Sequence, residues 1–128
     1  MSRLPASAYE LLGGESAVRD LVDRFYDVMD RLPQARGIRA MHPQDLTGSR
    51  EKLFLFLSGW LGGPPLYQEK YGHPRLKLRH MPFPIAAAER DAWLSCMDLA
   101  MRELDYPDSL RQRLMNSFAM TANHMRNQ

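Results

Sequence analysis

Apolar residues recur at three- and four-residue steps along most of the chain. Val18, Leu21, Val22, Phe25, Met29 and Leu32 form the clearest series, with Arg19, Asp20, Asp23, Arg24 and Asp27 between them. An apolar stripe backed by charges predicts a helix with one face sunk in a core. Ser16 is a residue type suited to cap its start, and Pro33 and Gly37 end it or open a loop after it. Ahead of it, Ala8 to Leu12 predicts a short helix stopped by Gly13 and Gly14.

The next helix is capped by Thr47 or Ser49, and Leu53, Leu57 and Trp60 or Leu61 give its inner stripe. Phe54, Leu55 and Phe56 make it apolar nearly all round, which predicts that more than one face is covered. Gly62-Gly63-Pro64-Pro65 is a hard stop. Residues 64 to 85 carry five prolines and no long period, which predicts an irregular segment with at most a short helix around Leu76 to His80. Its aromatic and apolar content argues against disorder, and a loop this long inside a compact domain is usually functional. Two long helices follow. Ala86 to Leu104 carries Ala88, Trp93, Cys96, Met97, Ala100 and Leu104 on one side. The last starts at Asp105 or Tyr106, with Pro107 in its first turn, and its stripe is Leu110, Leu114, Phe118, Thr121 and Met125. With no alternating strand pattern and no internal repeat, the fold class is all-α, with four main helices and shorter pieces.

At 128 residues the chain suits one domain. Five Phe, five Tyr, two Trp and nine Met suit an interior with irregular gaps or a pocket for a large flat ligand. The formal net charge of +2 is too small to point to nucleic acid, and no Lys/Arg block resembles a nucleic-acid arm. Cys96 is the lone cysteine, so neither a disulfide framework nor a zinc-type cysteine cluster exists; this fits a cytoplasmic protein. The opening MSRLPASAYELLGG lacks the apolar core of a signal peptide, and no apolar run is long enough to span a membrane.

Candidate chemistry rests on four histidines: His42, His73, His80 and His124. No two are spaced as in a zinc-protease helix, no carboxylates have calcium-loop spacing, and no nucleophile-elbow motif is present. His80 has the distinctive setting. Pro82 and Pro84 stiffen the chain after it, and Leu76, Leu78, Met81 and Phe83 are apolar. A lone imidazole in such a slot is poor zinc chemistry. It suits haem, whose porphyrin supplies four nitrogens and asks the protein for one axial ligand. A single histidine near prolines is more often a surface or core residue, so His80 alone does not carry this reading.

Phe25-Tyr26, FLSGWLGGP from Phe56 to Pro64, GHPRLKLRHMPFPI from Gly72 to Ile85, and Arg90-Asp91-Ala92-Trp93 give the pattern its specificity. From about Tyr9 to Met125 the chain resembles the group II truncated haemoglobins of bacterial type, globins built as a two-on-two helical sandwich around a haem. The resemblance implies haem b (iron protoporphyrin IX) with His80 as proximal iron ligand. It implies a distal side formed by Tyr26, Trp93 and His42, with Ser49 near the ligand gate. Leu53, Phe56, Leu57, Leu76, Phe83 and Trp93 become candidate haem walls, and Lys52, Tyr67, His73 and Arg79 candidate partners of the propionates. His42 either adds a proton donor, orders a water or reaches the iron itself. The ligands implied are dioxygen, carbon monoxide, nitric oxide or peroxide.

Three functions stay open on the sequence. The first is a haem protein that binds or carries dioxygen. The second is a redox enzyme of the same fold, served by an unidentified reductase and consuming peroxide or reactive nitrogen species. The third is a cofactor-free helical interaction module in which Phe54, Trp60 and the Phe83 region face a partner.

Overall fold

A computed structural model describes residues 7–75, 80, 81, 83 and 85–125. Seven α-helices follow in order among them: α1 (Ala8–Leu12), α2 (Glu15–Arg31), α3 (Arg36–Ala40), α4 (Thr47–Trp60), α5 (Leu66–Tyr71), α6 (Ala87–Glu103) and α7 (Asp108–Met125). A 3₁₀ turn, Pro33–Ala35, joins α2 to α3. The described residues contain no strand, and none of their helices is long and apolar enough to cross a membrane. The four long helices agree with the predicted ones.

The core lies where α2 meets α4 and α6, and α6 continues onto α7. Val18, Leu21, Val22, Phe25, Val28 and Met29 of α2 are all buried there, against Cys96, Met97, Ala100 and Met101 of α6. Ion pairs brace the outside. Glu103 accepts from both Arg24 and Arg31 across α2 and α6, Arg50 spans Asp23 and Asp27 across α4 and α2, and Arg111 of α7 holds Asp98 of α6. The exposed ones among these pairs contribute about 0–1 kcal/mol each, while Arg111–Asp98 and Arg24–Glu103 are partly buried.

The helix ends correct several expectations. α2 starts two residues earlier than expected. Gly14, at φ 81° and ψ −151°, turns the chain directly into it, and Ser16 sits inside the helix rather than capping it. The N-cap of α4 is Leu46, whose side chain makes no capping bond; neither Thr47 nor Ser49 is the cap, and the Asp45 carboxylate ahead of it accepts from the Thr47 amide at 2.9 Å and hydroxyl at 2.7 Å. Pro107 precedes α7 instead of lying in its first turn, and its carbonyl accepts from the Arg111 N–H at 2.9 Å. The expected loop after Pro33 is the 3₁₀ turn plus α3, with Gly37 inside the helix. The irregular segment contains α5, six residues between Pro65 and Gly72. Of the short helix expected at Leu76 to His80, residues 76 to 79 lie outside the described residues.

Three helices stop in the same way. After α1, α4 and α6 the chain passes through a left-handed residue, Gly13, Gly62 or Asp105, and its next amide bonds back to Tyr9, Ser58 or Met101, which satisfies carbonyls that a helix end leaves free. Gly63, after α4, has a second constraint: a Cβ there would lie 2.4 Å from the Tyr9 ring. The Tyr9 amide also donates to the Leu61 carbonyl at 2.9 Å, so α1 is docked on the end of α4.

Candidate functional site

α4 shows why a helix can be apolar on every side. Phe54, Leu55 and Ser58 are buried in the core. Ser49, Leu53, Phe56, Leu57 and Trp60 form a second stripe along one wall of a cavity of about 460 Å³. The stripe expected to face the core therefore lines this cavity, with Leu57 serving both. Phe118, Ala122 and Met125 of α7 supply another wall, joined by Ile85, Phe83, His80 and Trp93. The volume falls within the roughly 300–1,000 Å³ usual for ligand and cofactor sites.

Polar groups converge on one side. Tyr26 reaches the cavity from α2 and is 5% exposed. Burial pushes its hydroxyl pKa up to about 12, against a smaller opposing pull from Arg50, so at neutral pH it is a donor. Its ring meets Phe25 edge-on at 5.1 Å and His42 edge-on at 5.7 Å. The hydroxyl has no hydrogen-bond partner among the described residues. Trp93 of α6 is held between Phe25 at 5.1 Å and Phe118 at 5.5 Å, and its indole N–H also has no partner among the described residues. His42 follows α3, and its Nδ1 lies 2.8 Å from the Ile38 carbonyl. A carbonyl only accepts, so Nδ1 carries the proton in this bond.

The structure thus brings Tyr26, His42, Lys52, Leu53, Phe56, His80, Phe83 and Trp93 to one cavity. Tyr67 and His73 are not among the lining residues. Tyr67 lies on α5 with its ring 5.0 Å from that of Tyr71, and exposed His73 accepts from the Arg75 amide at 3.0 Å. Leu76 and Arg79 lie outside the described residues. The sequence reading missed Ile38, Met41, Ile85, Glu89 and Arg90 as lining residues. It placed Phe118 and Met125 on the last helix's inner stripe without assigning them to the cavity; their seven-residue spacing was the available signal. Arg90 is held by Asn123 at 2.8 Å and Asp91 at 3.1 Å.

These residues fit a haem. The described residues contain no group of three His, Cys, Asp or Glu able to hold a metal ion by themselves. A metal already ringed by a porphyrin requires only one imidazole from the protein, and the cavity offers His80 together with His42, whose Nδ1 is bonded to the Ile38 carbonyl. Lys52 and Arg90 are cations suited to carboxylates, and burying a flat apolar ring stabilises by roughly 25 cal/mol per Å² removed from water.

Fold and site together define a small all-helical protein built around a cofactor-sized apolar cavity with two imidazoles, His42 and His80, on its wall. Residues 7–127 match the model of the bacterial-like globin family. A group 2 truncated hemoglobin of Bacillus subtilis is 43% identical over 120 residues, 94% of this chain and 88% of the relative. The solved group II 2-on-2 hemoglobin of the plant pathogen Agrobacterium tumefaciens superposes with a TM-score of 0.92 at 48% identity, over 100% of this chain and 99% of that one. A structure described as a truncated oxygen-avid haemoglobin from Bacillus subtilis has a TM-score of 0.86 at 42% identity, over 95% of this chain and 100% of that one. The chain belongs to the bacterial-like globin family, as a truncated two-on-two haemoglobin of group II, and is a haem-based ligand-binding protein.

Proposed function

We propose that residues 1–128 form a single domain that would hold haem b through His80 and retain dioxygen or another diatomic ligand beside Tyr26 and Trp93. When bound, ferrous haem supplies the coordination of such a ligand. The chain supplies the surroundings. Leu53, Phe56, Phe83 and Trp93 exclude water and hold the ring by contact, and Lys52 and Arg90 meet its carboxylates. The Tyr26 hydroxyl and Trp93 indole donate to a ligand that draws negative charge. His42 orders a water or donates beside them.

The observation that carries this reading is that His80 and Tyr26 line one apolar cavity, with the protonated Tyr26 hydroxyl free of a hydrogen-bond partner among the described residues. A donor that faces the cavity without a protein partner is free to bond an accepting ligand there, which is worth about 0.5–1.5 kcal/mol net. The oxygen avidity named for the Bacillus subtilis relative supports dioxygen as that ligand. A single buried cysteine supports a reducing cytoplasm as its place.

Optical spectra of ferric, ferrous and carbon monoxide-treated ferrous protein test the assignment. The wild type is expected to give histidine-ligated globin spectra, and His80→Ala to lose the normal axial signature and much of its haem. Unchanged ferrous spectra in His80→Ala would remove the axial role. Sustained peroxide or nitric oxide turnover well above free haem would move the protein to the redox reading.

A further inference from the structure

Behind the cavity lies a second hollow of about 450 Å³, between the end of α2 and the segment from Arg36 to Gln44. The partition between them alternates residue by residue. Met41 and Pro43 line the haem cavity, and Ala40 and Gln44 line the outer cleft. His42 lines both.

The frame of this partition is fixed and its panel is not. Arg39 pairs with Asp30 and donates to the Pro43 and Gln44 carbonyls, both at 2.9 Å, which anchors the backbone immediately after His42. The His42 ring has one hydrogen bond, to Ile38, and one edge contact, with Tyr26. A side-chain rotation that breaks that single bond turns the ring without moving the frame.

The cleft has its own chemistry. It is lined by Arg31, Arg36 and Arg39 against one acid, Asp30. Arg31 is paired with Glu103 and Arg39 with Asp30, whereas exposed Arg36 makes no ion pair with the described residues. The field at its mouth is positive and draws small anions and water rather than apolar gases.

We propose that His42 is the door of a second passage into the haem cavity, and that small anions enter through the arginine cleft past its ring. This rests on the haem reading only for one of its readouts.

Azide binding to the ferric protein, followed by stopped flow, is the first test. His42→Ala is expected to raise the association rate by about tenfold, a change of the size single residues make to on-rates. Arg36→Glu, on the exposed rim, is expected to lower the azide rate about threefold at low salt, to lose that effect at high salt, and to leave carbon monoxide association unchanged. Azide rates equal to wild type in both variants overturn the passage, as does an equal slowing of azide and carbon monoxide by Arg36→Glu. Iodide quenching of tryptophan fluorescence in haem-free protein reads the passage without iron, because both tryptophans, Trp60 and Trp93, line the cavity. His42→Ala should increase quenching; no increase counts against the door. A wild type that takes up no haem defeats the proposed function, and the iodide result still decides the passage.

Discussion

α2 and α4 are both rich in apolar residues, yet they are buried in different ways. α2 carries its apolar residues on one face, and Val18, Leu21, Phe25 and Val28 are 0% exposed. Those contacts are finished by the chain itself. α4 carries them all round, and Leu53, Phe56 and Trp60 are only partly covered because they face the cavity. Apolarity on one side of a helix reports a protein core. Apolarity on every side reports a core plus a surface reserved for something else.

The largest expected difference separates these two surfaces. Phe25→Ala should cost about 3–5 kcal/mol, as deletion of a fully packed aromatic does, in denaturant unfolding of both haem-free and haem-loaded protein. Phe56→Ala should cost only about 1 kcal/mol without haem, since little of its contact is made within the chain, and should speed haem loss. Equal costs for the two in haem-free protein would erase the distinction.

The next effect belongs to pH. An unfolded tyrosine gives up its proton near pH 10, while Tyr26 keeps its own to about 12. Between those values the folded state holds more protons than the unfolded state, so stability falls as pH rises through the window. A two-unit shift corresponds to about 2–3 kcal/mol. Tyr106, also pushed up to about 12 by burial and then by Asp20, contributes in the same window. Unfolding of haem-free protein from pH 9 to 12 should show this loss, with a shallower slope in Tyr26→Phe. An identical slope in both would place the titration elsewhere.

The smallest effect is the ligand bond itself. Tyr26→Phe removes one donor worth about 0.5–1.5 kcal/mol, so dioxygen should leave up to about tenfold faster. An unchanged off-rate would take Tyr26 out of ligand retention.

The long helices were legible because each spans several turns of a regular period. The cavity-facing stripe of α4 was visible in outline, since Phe54, Leu55 and Phe56 in succession cannot share one face. Three features were hidden for local reasons. α5 is too short to show a period and lies between proline and glycine signals that read as loop. Gly37 marked a break that α3 runs through, because the neighbouring packing of Ala35 and Ile38, both buried, outweighs one unfavourable residue. The α4 start was missed because its N-cap, Leu46, has no polar side chain, and the Thr47 amide is met instead by Asp45 from one residue farther back. At the site, Tyr26, Trp93 and His80 had motifs around them, whereas Met41 and Ile85 lie at helix ends, outside any periodic stripe.

Gly63 lies far along the chain from His80, yet the Tyr9 ring occupies the space its side chain would need. A side chain there would alter no residue of the cavity lining, yet it would press the Tyr9 ring, and α1 with it, off the end of the helix that walls the cavity. The scaffold of the pocket thus depends on a space kept empty outside it, at a residue that lines no part of the cavity.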